Sequence, residues 1–149
     1  MPHTIVLSDA YVTPDEMPCS AAIMPGHLVE AVPTGLRPHA TADGLARPAF
    51  AIESLVPAPR GTATEPIATP YASGDAVRWI IAAPGMLLYA LVPAAAAAIV
   101  KGDALVSAGD GTLKKVGATP VVGSIVALAE EALNNSGGGT PARIKVRAY

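Results

Sequence analysis

Cysteine is nearly absent from this chain of 149 residues: Cys19 stands alone. A single thiol excludes an internal disulfide and supplies no CxxC pair for zinc or redox chemistry. Aromatic residues are scarce at 4%, and charged residues make up only 15%, against about 25% in ordinary domains. The formal net charge of −2 gives no global field toward nucleic acid or an anionic membrane. Long apolar runs are missing too. The longest candidate, "MLLYALVPAAAAAIV", is broken by Pro93 and falls short of the roughly 18 residues of a membrane span. The opening "MPHTIVLSDAYVTPDE" shows no basic region followed by an apolar run of signal-peptide length. The expectation is a soluble chain made in the cytoplasm, with no nucleic-acid or membrane partner.

What is present is Ala, Val and proline. The hydrophobic fraction is 51%, so a core of small residues is expected, with apolar surface left over for a partner. Eleven of the 15 prolines fall in residues 1–70 and four in the remaining 79. The first part therefore reads as short extended pieces between turns: "TIVL" (4–7), "LVEAV" (28–32) and "AFAIE" (49–53). Residues 54–75 carry four prolines and little periodicity. They read as a long loop, since proline removes ladder donors and biases its neighbours away from helix.

The second part is more regular. "AVRWIIA" (76–82) and "MLLYALV" (86–92) flank Pro84-Gly85, and "ALVSA" (104–108) and "TLKKV" (112–116) flank Gly109-Asp110-Gly111. Asp-Gly between two strand-like runs is a strong hairpin signal. "VVGSIVAL" (121–128) reads as a strand, followed by a short helical turn over "AEEAL". Ala94–Ala98 has helix propensity but length for only a turn or so. After the Gly-rich "NNSGGGTP", "ARIKVRAY" alternates: Arg143, Lys145 and Arg147 face one way, Ile144, Val146 and Ala148 the other. Period-two alternation predicts a half-buried strand with a basic, solvated outer stripe. Short strands at about ten-residue spacing predict a mainly all-β, compact barrel- or sandwich-like domain with at most one or two short helical turns. The expected organisation is an extended N-terminal arm over 1–20 and a single β-rich domain over 21–149.

No arrangement of residues carries an active site. His3, His27 and His39 lie apart from one another and from Cys19, without HxH or HExxH spacing. "GDGT" lacks the alternating oxygen ligands and closing Glu of a calcium loop, so Asp103 and Asp110 read as turn residues that satisfy their own backbone. "SGGGTPAR" lacks the GK[ST] of a phosphate loop. No GxSxG and no Ser/His/Asp cluster is present, and the adjacent Glu130-Glu131 point to different faces. The expectation is a non-enzyme without metal or cofactor.

Taken in order, "WIIAAPGMLLYALVPAAAAAIVKGDALVSAGDGTLKKV" and "VVGSIVALAEEALNNSGGGTPARIKVRAY" resemble the head-decoration, or capsid cement, proteins of tailed bacteriophages. The pattern is a "kGD.L.SagDG.L.K" hairpin, a "vG.a.ea..N" strand, and a Gly/Ser turn into a basic terminal strand. It covers about residues 74–149. The resemblance implies a compact β-rich structural protein with no catalytic residues. It would bind the outer capsid surface of the virion as a homotrimer at threefold positions and bridge major capsid subunits. An arm reaching over neighbouring subunits is part of that pattern. The capsid contacts expected here are Thr4, Ile5, Val6, Leu7 and Tyr11, adding a strand to a capsid sheet edge. Removing residues 2–12 is then expected to weaken binding and leave the domain folded. Another phage head or tail component, such as a fibre base, is the alternative. A β-clip accessory domain of an enzyme and a biotinyl or lipoyl carrier module are the remaining readings. Lys114-Lys115 follows the turn rather than occupying its tip, and no MKM flank is present.

Overall fold

A computed structural model describes residues 3–8, 14–55 and 65–149. Ten strands run in the order β1 (Asp15–Pro18), β2 (Val29–Val32), β3 (Gly35–Pro38), β4 (Ala49–Ala51), β5 (Ala76–Ile81), β6 (Leu87–Val92), β7 (Ala104–Ser107), β8 (Leu113–Lys115), β9 (Ala127–Ala129) and β10 (Ala142–Ala148). They form a three-stranded sheet β1-β5-β4, a five-stranded sheet β6-β10-β9-β7-β8 and the hairpin β2-β3. All strand pairs are antiparallel, and no barrel closes. The fold is all-β, as the strand spacing predicts. Among the described residues a single 3-10 turn, Pro66–Ala68, lies in the proline-rich stretch.

The five-stranded sheet follows from alternation. In β10, Ile144, Val146 and Ala148 are buried in the main core, and β10 lies between β6, which pairs with Ala142 to Arg147, and β9, which pairs with Val146 to Ala148. Across the main core, Leu88, Ala90, Leu105 and Leu113 of the same sheet meet Phe50 and Ile80 of the three-stranded sheet. Complete burial of a side chain such as Phe50 is worth about 1.5–3 kcal/mol.

The three-stranded sheet carries buried residues on both faces, in β4 and at Val77 and Ile80 of β5. Phe50 and Ile80 turn to the main core, while Ala49, Ala51 and Val77 turn to a smaller cluster. That second cluster is closed by Val29 and Leu36 of the β2-β3 hairpin, with Cys19, Ile23 and Tyr71. The hairpin thus packs on the far face of the three-stranded sheet, and alanine at 49 and 51 lets it approach. The Cys19 thiol is buried in this cluster and donates to the Ala72 carbonyl at 2.9 Å.

Two Pro-Gly turns join the layers. Ala83–Met86 closes through Met86 N–H to Ala83 C=O at 3.0 Å with Gly85 at φ 88°. It is no hairpin, because β5 and β6 belong to different sheets. Met24–His27 closes in the same way at 3.0 Å, with Gly26 at φ 95°, the type II geometry that favours Pro then Gly. Its Gly26 N–H donates to Ala51 C=O and its C=O accepts from Leu91 N–H, which ties β4 to β6.

Two local expectations are corrected. "AEEAL" is not helical: β9 ends at Ala129, the chain bends, and Leu133 bridges Ile99. Glu130 and Glu131 reach β10 instead, which favours the bend. Of 121–128 only the end is strand, because Ser124 folds back with its N–H and hydroxyl on Val121 C=O. Ala94 and Ala95 form a turn, in keeping with a stretch long enough for only a turn or so.

Candidate attachment surfaces

The expected arm is placed by its pairing. Val6 bridges Leu88 in antiparallel sense, Leu7 N–H donates to Leu87 C=O at 2.9 Å, and Tyr89 N–H donates to Ile5 C=O at 2.9 Å. The segment therefore covers the outer edge of β6. Ile5 is fully buried in the main core. Glu53 anchors the segment by accepting from Thr4 Oγ1 at 2.6 Å and from Ile5 N–H at 3.0 Å. Thr4, Val6 and Leu7 are half-buried. Tyr11 lies outside the described residues, and Asp15–Pro18 is β1 of the three-stranded sheet. Ile5 C=O and Leu7 N–H are engaged by this chain's own β6. Cutting away residues 2–12 would also remove Ile5 from the core, so the stability of the cut domain is to be measured beside its binding.

Some of the exposed apolar side chains lie near one another. Leu45 is 68% exposed, Ile81 48% and Val122 92%. Leu45 and Ile81 line a groove of about 380 Å³, with Trp79 in its wall and Glu30 and Arg47 on it. Leu45 Cδ2 also reaches within 3.0 Å of the position that a Cβ on Gly123 would take, which brings the Val121-Val122 turn beside it. The Trp79 indole N–H is buried and has no acceptor among the described residues. Arg47 is exposed.

A second groove, of about 500 Å³, opens beside the Met24–His27 turn, with Leu91, Pro141 and Arg143 among its walls. Arg143 is half-buried and not solvated as the outer-stripe reading expects. Its Nη1 donates to Pro25 C=O at 2.7 Å, and its Nη2 donates to Ile67 C=O. Burial lowers the guanidinium's pKa, opposed by the charge of Glu53. Lys145 and Arg147 fit the expected stripe better. Arg147 pairs with Glu130, which Lys101 also approaches at 3.7 Å, while Glu131 accepts from Lys145 N–H at 2.7 Å. The Arg147 hydrogen bond is the main cause holding the Glu130 carboxyl below its ordinary range.

The turn residues behave as their types predict. Gly109 and Gly111 take φ of 95° and 84°, values that only glycine adopts readily, and β7 and β8 pair on either side. Asp110 accepts from Thr112 N–H at 2.9 Å. Asp103 accepts from Val100 N–H at 2.8 Å and pairs with Lys115 at 3.0 Å. The backbone bond first, and Lys115 second, hold its pKa down. His39 is buried between Ser107 Oγ at 2.8 Å and Leu45 C=O at 3.1 Å. His27 Nδ1 accepts from Met24 N–H at 3.2 Å. His3 lies near Glu65 at 3.5 Å. Among the described residues no three His, Cys, Asp or Glu side chains converge as a metal site would require. No described helix is long and apolar enough to cross a membrane.

Comparison with solved structures gives a likeness over nearly the whole chain. The N base of head fiber gp8.5 of bacteriophage phi29 superposes with a TM-score of 0.58 at 10% identity, covering 93% of this chain and 95% of that one. The likeness is one of fold. No protein-family model matches the sequence, and no curated protein matches it.

Proposed function

We propose that this chain is a structural component of a tailed-phage head, attached to the outer capsid surface of the virion, with no enzymatic activity. The observation that carries this reading is the shared fold with the N base of a phage head fiber across nearly the full length of both chains. It is supported independently by the resemblance of residues 74–149 to capsid cement proteins. In the finer form of the proposal the chain is a homotrimer at threefold positions that bridges major capsid subunits. The apolar ground around Leu45, Ile81 and Val122 is the surface we assign to contact between copies. Three weak attachments on one rigid trimer sum to firm binding.

A second reading, the base of a head fibre, is favoured by the description of the matched structure. In that case this domain anchors an appendage and need not occupy every threefold site. Co-sedimentation of the purified protein with heads of the phage that encodes it tests the shared proposal. Saturable binding at many copies per head supports a cement role, and few copies supports a fibre base. Failure to sediment with heads at any stage of maturation would remove both.

A further inference from the structure

The groove beside the Met24–His27 turn holds a cation, Arg143, that has no ion pair among the described residues. Arg143 is half-buried. A guanidinium carries five N–H donors in a fixed fork. Two are taken by the neutral carbonyls of Pro25 and Ile67, and Glu53 acts on the charge without forming an ion pair. His27 stands in the same groove. Its Nδ1 accepts the Met24 N–H, so the ring proton sits on Nε2, and that nitrogen has no partner among the described residues. Around these two donors the walls are apolar: Met24, Leu91, Ala68 and Pro141. Ala68, Thr140 and Pro141 are exposed, so the groove is reached from solvent.

The backbone is shaped to hold the guanidinium there. A Cβ at Gly26 would come within 2.7 Å of Arg143 Nη1, so glycine permits the close approach as well as the turn. Burial also lowers the His27 pKa, ahead of the opposing pull of Asp110, which keeps Nε2–H a neutral donor beside the cation.

We propose that this groove binds an apolar protein segment carrying one acidic side chain, whose carboxylate accepts from Arg143 and His27 while its flanking side chains lie on Met24 and Leu91. Charge complementarity selects the acid, since a partly desolvated guanidinium gains most from a carboxylate. The apolar walls select what surrounds it. This assignment stands apart from the head reading, because it concerns what the groove recognises and not where the protein sits.

The test uses two peptides, acetyl-Leu-Asp-Leu-amide and acetyl-Leu-Asn-Leu-amide, titrated into the full chain and followed by NMR. The expected result is binding of the Asp peptide about tenfold or more tighter than the Asn peptide, as a charge-assisted hydrogen bond implies. The shifts should fall on the Met24 and Leu91 methyls and the Arg143 Nε–H. Arg143→Gln should erase the preference, but it also loosens the Pro25 and Ile67 contacts. Thr140→Glu and Ala68→Glu, at exposed positions, supply an internal carboxylate and should erase the preference without lowering the Tm. Equal affinity for the two peptides, no binding, or shifts that map elsewhere would overturn the assignment. So would sodium hexanoate binding as tightly as the Asp peptide, which would make the groove a site for free carboxylates.

Discussion

The five-stranded and three-stranded sheets bury their residues in different ways. In β10 the buried Ile144, Val146 and Ala148 alternate with Arg143, Lys145 and Arg147, so one face supports a core and the other carries the charges, of which Arg147 pairs with Glu130. In β4 all three residues are buried, with Phe50 on one side and two alanines on the other. A strand with one wet face advertises itself by alternation, whereas a strand between two layers is read through residue size. The large residue fills the thick layer, and the small ones set how near the hairpin can come. The smaller layer is closed by the hairpin and by residues distant in sequence, Cys19, Ile23 and Tyr71.

If the three-stranded sheet is the shared wall of both cores, truncating it should do the greatest harm. Phe50→Ala should cost about 3–5 kcal/mol in urea unfolding and lower the transition seen by every probe together. Ile5→Ala should cost about 2–5 kcal/mol, because the first segment belongs to the main core. A loss under 0.5 kcal/mol would return that segment to the role of an arm. Gly26→Ala forces a side chain to a positive φ against Arg143, a strain on the order of 1–3 kcal/mol, and should weaken the tie between β4 and β6.

The pH response separates the regions more gently. The folded pKa of His27 lies below its unfolded value, chiefly through desolvation. As pH falls the unfolded chain takes up the proton first, so this contribution is complete above about pH 6.5 and declines below it. His27→Gln should flatten the stability slope between pH 7 and 5 in urea titrations. Asp103 and Glu130, in the connections of the five-stranded sheet, are depressed carboxyls. Their contribution is present above the ordinary carboxylate range and is lost only as pH falls through the folded values. Both are exposed to solvent screening, so Glu130→Gln should give the smallest effect, a Tm drop that shrinks as salt is added.

The legible parts of the fold were those whose signal is local. The Gly109-Asp110-Gly111 hairpin and the alternation of β10 are written in consecutive residues, and both form as predicted. β1 (Asp15-Glu16-Met17-Pro18) and β3 (Gly35-Leu36-Arg37-Pro38) carry charge and proline, and nothing in their own sequence names the strands they pair with. For residues 4–7 the extended conformation was legible but the partner was not. Periodicity says that an edge is sought, and only the folded chain shows β6 supplying it. Arg143 was misread because alternation assigns it to the outer face, while the Met24–His27 turn and Pro66–Ala68 cover that face. The Met24–His27 turn carries a Pro-Gly dipeptide, but no short-range signal joins it to a residue 118 positions away.

The central proposal, a structural module on the outside of a phage head, is tested most directly by imaging. Expanded empty heads of the phage that encodes the chain would be mixed with the purified protein and reconstructed by cryo-electron microscopy. The account predicts new density on the outer surface, at threefold positions, into which three copies of this fold fit. Heads that stay bare at saturating protein, in every capsid form, would contradict it.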